Sequence, residues 1–208
     1  RRSRGLGDVY KRQVIFFKRT PLSDEKGKVE ALLRKGANIV STSDSLSDFK
    51  QLGFANIADV ENAYEDVDVI IDCTPSGNEN WLSIYSSLDQ SKRFMAQGSE
   101  HGFGPFFAWG INNNIFESES NKYLIASCNT HNIASIVKTF ALDEGRDLTE
   151  GQFVCLRRAN DVSQNDSFSP SPTITKHTNQ EFGTHHARDV HELFAQEGKD
   201  LNLFSSAI

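Results

Sequence analysis

Short apolar runs recur along the chain: "VIFF" (14–17), "ANIV" (37–40), "DVIIDC" (68–73), "RFMAQ" (93–97) and "LIA" (124–126). Turn residues bound them, as expected of strands covered on both faces. Between them lie helical patterns. "SDEKGKVEALLRKG" has Ser23 as a cap, acids in its first turn, an apolar face of Val29, Leu32 and Leu33, and Gly36 to close it. "LSDFKQLG", "ADVENAYEDV" and "NWLSIYSSLD" read as further helices. Strand alternating with helix in this way predicts an α/β fold, a parallel sheet wound with helices on both faces.

Such sheets bind ligands at the carboxyl ends of their strands. Four clusters fall there: Lys18-Arg19-Thr20, Thr74-Pro75-Ser76-Gly77, Gln97-Gly98-Ser99-Glu100 and Ser127-Cys128-Asn129. All are small, polar or charged, as a ligand-facing rim requires. The first follows what reads as the second strand of a Rossmann-like nucleotide-binding half. A carboxylate at that place would take a ribose 2′-OH, whereas cations accommodate a 2′-phosphate, so two cations and a hydroxyl favour NADP over NAD. The competing reading is a solvated strand end.

After Cys128 the pattern changes. "EGQFVCLRRAND" reads as a strand running into a charged turn, a long polar loop follows, and "VHELFAQEG" and "LNLFSSAI" read as a helix and a strand. The expected division is a nucleotide-binding domain over 14–127 and the start of an α+β catalytic domain over 128–208. Residues 1–13, "RRSRGLGDVYKRQ", lack an initiator Met and any periodicity and are read as non-native sequence. Their "GLGD" precedes a strand, whereas a phosphate-binding glycine loop must follow one.

Composition excludes some classes. A net charge of -6, with no basic stripe carrying interleaved aromatics, argues against nucleic acid as the main ligand. No apolar run approaches the roughly 20 residues of a membrane span. Three widely spaced cysteines form neither a disulfide framework nor a CxxC metal site, which favours a reducing setting.

One of those cysteines stands where chemistry would put it. In "LIASCNTHNIASIVKTF" a strand hands over to a helix at Cys128, and the unpaired N–H groups and dipole of a helix start stabilise a thiolate. The helix carries an apolar stripe at Ile133, Ile136, Val137, Phe140 and Ala141, and Cys128 lies ahead of it. Position alone leaves a nucleophile and a buried structural thiol both open; Cys73 and Cys155, inside apolar strands, suit the structural role. Arg157-Arg158 at a strand end could clamp an anion bidentately. His185-His186, in the long polar loop, could donate to a phosphate. Asp189 and His191 stand near enough to raise the idea of a metal, but no known ligand spacing is present.

Taken in order, these pieces resemble the type II, archaeal-type glyceraldehyde-3-phosphate dehydrogenase family. "FFKRTP" resembles its ribose-reading turn, "DVIIDCTPSG" the strand and turn before the nicotinamide region, and "QGSE" a Gln-Gly-Gly-Glu turn. "SCNT" resembles the nucleophile segment, "LRRAND" and "GTHHARDV" the paired-Arg and paired-His runs, and "LFSSAI" the strand that follows. The resemblance covers residues 14–208 and implies a cytoplasmic homotetrameric oxidoreductase of glycolysis and gluconeogenesis. Its substrates would be glyceraldehyde 3-phosphate and inorganic phosphate and its cofactor NADP or NAD, with no nucleic-acid or membrane partner and no metal.

The resemblance implies roles residue by residue. Cys128 would be the nucleophile. Ser127, Asn129, Thr130, Arg157, His185 and His186 would bind substrate. Lys18, Arg19, Thr20, Thr74, Gly98, Ser99 and Arg158 would hold the cofactor. The chain departs from the family's Cys-Asn-Thr-Thr-Gly at His131 and Asn132, from its turn at Ser99, and from its His-His-Gly run at Ala187. These departures bear on helix entry and phosphate contacts. By the same resemblance the Gly-rich first turn would lie before Val14 and the general-base His beyond Ile208, so the chain reads as a central fragment truncated at both ends.

Alternatives are another thiol-dependent aldehyde dehydrogenase, such as aspartate-semialdehyde dehydrogenase, and a non-catalytic nucleotide-binding module with a structural Cys128. On the fragment reading, the 208-residue chain by itself should bind dinucleotide poorly and lack dehydrogenase activity. A steady-state assay of glyceraldehyde 3-phosphate oxidation with NADP checks this, and measurable turnover would contradict it.

Overall fold

The computed structural model describes residues 14–97, 100–143, 147–156, 174, 177 and 180–208. It divides into two compact units, one ending at Asp68 and one beginning at Val69.

The first unit holds strand β1 (Ile15–Phe17), helix α1 (Lys26–Arg34), β2 (Asn38–Ser41), α2 (Leu46–Gln51), β3 (Ala58–Asp59) and α3 (Val60–Asp66). The strands pair in parallel in the order β1-β2-β3. One core cluster joins Val29, Ile39, Phe49, Phe54 and Ile57. A smaller one joins Val40, Val60 and Ala63. The connection from β1 to α1 differs from the expected one. Ser23 lies inside a 3-10 turn, Ser23–Glu25, rather than ahead of the helix, and no side chain caps that turn. The cap appears instead on α3, where Asp59 accepts from the Glu61 N–H at 3.0 Å.

The second unit begins with β4 (Val69–Asp72), α4 (Gly77–Ser83) and β5 (Arg93–Gln97). It continues through β6 (Phe106–Phe107), β7 (Lys122–Ile125) and α5 (Cys128–Ile136), with a π turn over Val137–Leu142. Beyond these come β8 (Gly151–Cys155), α6 (His185–Ala195) and β9 (Leu203–Ala207). A four-stranded parallel sheet runs β4-β5-β7-β6, and β8 pairs in parallel with β9. The architecture is the expected Rossmann-like α/β arrangement of parallel strands and helices. Strand β6 carries no apolar run beyond its two phenylalanines, so no alternation marked it in the sequence.

Chain on both sides of Ser127 packs within this second unit. Strand β7 is held between β5 and β6, while α5 lies against α6. The buried face of α5 also differs from the expected stripe. Ile133 and Val137 are 4% and 1% exposed and join Thr130 and Ala134 inside, but Ile136 and Phe140 are 40% and 71% exposed. Ile136, still within α5, and Phe140, in the π turn, face outward. Cys73, expected inside a strand, lies just past the end of β4 and is exposed. Cys155 is half-buried.

Asp72 fastens the end of β4. Buried among polar partners, it accepts from the Thr74 N–H at 2.7 Å, Asn80 Nδ2 at 2.8 Å and the Tyr85 hydroxyl at 3.0 Å. Burial pushes its carboxyl up, and the hydrogen bonds from Asn80, Thr74 and Tyr85 together outweigh that and hold it below its ordinary 3.8. A lowered folded value means stability that is full above the unfolded value and lost as pH falls through the folded one. Urea denaturation of Asp72→Asn should therefore show lower stability at neutral pH and a flatter loss below about pH 4 than the wild type. An unchanged acid slope would contradict this role.

Candidate active site

Strand β7 ends at Ile125 and the chain turns into α5 through Ser127, whose backbone is extended (φ -60, ψ 159). Its Oγ accepts from the Thr130 N–H at 3.4 Å and lies 2.8 Å from Thr130 Oγ1. Two of the expected substrate residues, Ser127 and Thr130, thus build the helix cap, and Thr130 is fully buried. Cys128 is the first residue of the nine-residue helix and is exposed. A thiol there is reachable from solvent and faces the orphan N–H end of the helix.

A second helix start is built nearby by β9. The paired histidines, expected in a loop, occupy the first turn of α6. Thr184 precedes them, and its own side chain makes no cap bond to the helix. Ser205 of β9 supplies that bond: its Oγ accepts from the Ala187 N–H at 3.1 Å and lies 2.6 Å from Thr184 Oγ1. The Thr184 N–H donates to the Ser205 carbonyl at 2.9 Å. Gly183 makes the approach possible. Its φ is +73, and a Cβ there would stand 2.3 Å from the Ser205 carbonyl oxygen.

The two helix starts meet. Asn129 Nδ2 lies 3.3 Å from His186 Nε2, joining the residue after the thiol to the histidine pair. His186 is 5% exposed, His185 is half-buried, and their ring centroids are 3.9 Å apart. Further along α6, Arg188 grips the buried Asp189 through Nε at 3.0 Å and Nη2 at 2.6 Å. Burial raises the Asp189 carboxyl above its ordinary value, and the charges of Arg188 and His185 oppose that rise. His191 Nδ1 bonds the Leu201 carbonyl at 3.0 Å instead of turning toward His185. Among the described residues no group of three or more His, Cys, Asp or Glu could hold a metal ion.

At the rim of the four-stranded sheet, the Thr74 hydroxyl lies 3.1 Å from Asn80 Nδ2 and 3.2 Å from the Ser76 N–H, which donates to it. Glu100 accepts from the Asn78 N–H of α4 at 2.8 Å, so the turns after β4 and β5 are tied together. Gly77 allows this closeness, since a Cβ would meet Ala96 Cβ at 2.9 Å. In the first unit Lys18 is ion-paired with Glu25, while Arg19 and Thr20 are exposed past the end of β1. Gly98, Ser99, Arg157 and Arg158 lie outside the described residues.

Some participants carried no legible signal. Ser205 stands 21 residues from Thr184, and nothing local in "LFSSAI" marks one serine as a cap for another helix. His131 is used structurally, its Nε2–H donating to the Trp109 carbonyl at 3.0 Å.

No family model matches the chain. Curated relatives do. The glyceraldehyde-3-phosphate dehydrogenase of Pyrobaculum calidifontis is 26% identical over 205 residues, 95% of this chain and 54% of the relative. That of Metallosphaera sedula is 26% identical over 182 residues, 84% and 49% respectively. That of Sulfolobus acidocaldarius is 26% identical over 178 residues, 85% and 49%. The chain spans about half the length of the curated relatives it matches.

The cap from β9 is directly testable. Ser205→Ala leaves the Ala187 N–H and Thr184 hydroxyl unsatisfied in a buried place, which should cost about 1–3 kcal/mol in chemical denaturation. A loss below about 0.5 kcal/mol would show that the start of α6 does not depend on Ser205. Over most of its length, the chain is a sequence relative of the archaeal glyceraldehyde-3-phosphate dehydrogenases.

Proposed function

We propose that this chain is the part of an NAD(P)-dependent, phosphorylating glyceraldehyde-3-phosphate dehydrogenase that carries the nucleophile, Cys128. The observation that carries the reading is the junction itself: an exposed thiol on the first residue of α5, followed by Asn129 within hydrogen-bond distance of the buried His186. The structural-thiol alternative calls for a buried Cys128. The likeness to enzymes named glyceraldehyde-3-phosphate dehydrogenase favours the triose over aspartate semialdehyde.

In this reading residues 14–127 serve the dinucleotide and residues 128–208 begin the catalytic portion. Parallel strands with exposed polar carboxyl ends fit a dinucleotide. On the strength of the family resemblance, Arg19 and Thr20, exposed past β1, would serve the adenosine ribose and favour a 2′-phosphate, and Thr74 would also serve the cofactor. The ammonium of Lys18 is committed to Glu25, so its contribution there is to shape the turn. When bound, the nicotinamide supplies the hydride acceptor.

Cys128 supplies the covalent steps. Its thiolate attacks the aldehyde carbon and a C–S bond forms, giving a thiohemiacetal. After oxidation the acyl group remains on sulfur as a thioester. An oxygen of inorganic phosphate attacks the carbonyl carbon, the C–S bond breaks, and the thiolate is returned as the acyl phosphate, 1,3-bisphosphoglycerate, leaves. Ser127 and Thr130 hold the helix start that presents the thiol, and His185 offers hydrogen-bonding capacity to the phosphates. Arg157 would join it as a substrate contact and Arg158, with Gly98 and Ser99, would serve the cofactor, on the strength of the family resemblance. The working enzyme on the same resemblance is a cytoplasmic homotetramer.

Exposure of Cys73 supplies an internal control for the nucleophile. With iodoacetamide at neutral pH and peptide mass spectrometry, Cys128 should be carboxamidomethylated several-fold faster than Cys73 or Cys155, and glyceraldehyde 3-phosphate should protect Cys128 selectively. Equal labelling of Cys73 and Cys128, with no protection, would overturn the assignment.

A further inference from the structure

The turn after β1 holds cations and a carboxylate together. Its backbone is fixed: the Lys18 N–H donates to the Val40 carbonyl at 3.0 Å, and the Lys18 carbonyl accepts from the Oγ of the fully buried Ser41 at 2.7 Å. Glu25 stands at the head of α1, where a side-chain oxygen can cap the first N–H groups, yet its carboxylate makes no such bond. It accepts instead from the Lys18 ammonium, seven residues away, and from Lys28 Nζ at 3.1 Å. The hydrogen bond from Lys18, and after it the one from Lys28, hold the Glu25 carboxyl below its ordinary 4.5, so it is an anion at neutral pH.

In a dinucleotide-binding sheet, a carboxylate at such a strand end accepts from the ribose 2′-OH, whereas cations accommodate a 2′-phosphate. This turn carries both kinds of group, and they are paired with each other. A 2′-phosphate must draw Lys18 away from Glu25 and then lie beside a second anion. A ribose with its 2′-OH free meets neither obstacle, and its hydroxyl can donate to the carboxylate as it stands. We infer that Glu25 is a specificity-determining residue of the cofactor site: by engaging Lys18 it weakens the hold of this turn on a 2′-phosphate and keeps the unphosphorylated ribose acceptable. The inference rests on the proposed role of the β1 turn in binding the dinucleotide. Arg19, exposed beside the pair, remains a cation for the phosphate, so the site takes both NADP and NAD.

Adenosine 2′-phosphate and adenosine 5′-phosphate carry one phosphate each and differ only in its place, and neither needs a grip on a pyrophosphate. Each is titrated into the full chain, and the amide shifts of residues 18–20 in proton–nitrogen correlation spectra report binding at the turn. Glu25→Gln should tighten adenosine 2′-phosphate roughly two- to fivefold, the range of one exposed ion pair, and leave adenosine 5′-phosphate no tighter. Lys18→Met added to Glu25→Gln should remove that gain, and raised salt should shrink it. An absent gain, a gain equal for both nucleotides, or one that survives Lys18→Met overturns the inference while leaving the dinucleotide reading of the turn in place. If neither nucleotide moves the amides of residues 18–20, that reading of the turn fails and the inference fails with it. Iodoacetamide labelling of Cys128 is scored separately, so the thiol assignment stands or falls on its own result.

Discussion

Parallel pairing is the constraint on which the site depends. Because β4, β5 and β7 run in one direction, β5 ends at the same edge of the sheet where Cys73 and Ala126 leave it. Helices α4 and α5 follow β4 and β7, so both begin at that edge with their N–H groups turned toward it. An antiparallel neighbour would have sent every second connection to the opposite edge and separated the thiol from the polar turns. Register then sets the depth. Ala96 pairs with Leu124 and Gln97 with Ile125, so β5 and β7 end level.

The edge is kept in shape by polar groups that accept hydrogen bonds from the turns around them. Asp72 gathers the Thr74 N–H, Asn80 and Tyr85, and Glu100 takes the Asn78 N–H, so the turns after β4 and β5 are braced from within. Ser205 does the corresponding task for α6 from a strand of a different sheet. Such groups are worth little as isolated pairs in water but costly to leave unmade once buried. Here that asymmetry works as a locator. It ties the first turn of α6 to one position on β9, and thereby sets where His185 and His186 stand.

What could be read in the sequence followed the range over which each signal acts. Apolar runs and helix periodicity are local, and they placed β1, β2, β4, β5 and the start of α5 within a few residues. Cys128 at a helix start was legible because strand, cap and helix are contiguous there. The start of α6 is not legible in this way, since its cap lies on β9 and the histidines continue the polar composition of the loop before them. The stripe on α5 was misplaced for a similar reason. The apolar spacing groups Ile136 and Phe140 with Ile133 and Val137, but the buried arc of the helix is completed by Thr130 and Ala134 on its other side, and Ile136 and Phe140 stay outside. Ser23 has the composition of a cap but lies inside a 3-10 turn, whose residues resemble those of a helical first turn.

The departures at His131 and Asn132 have a physical account in the same terms. Entry into α5 is set by Ser127 and Thr130, both ahead of the altered positions, and the helix still begins at Cys128. Asn132 lies on the exposed side, where loss of a glycine removes no close approach and lowers the entropy cost of forming the helix. His131 points along another face and donates Nε2–H to the Trp109 carbonyl, with Lys138 bonding the adjacent Gly110 carbonyl one turn and more beyond. A loop is thus fastened along α5 by two side chains of that helix. Through this bond His131 braces the helix that presents the thiol.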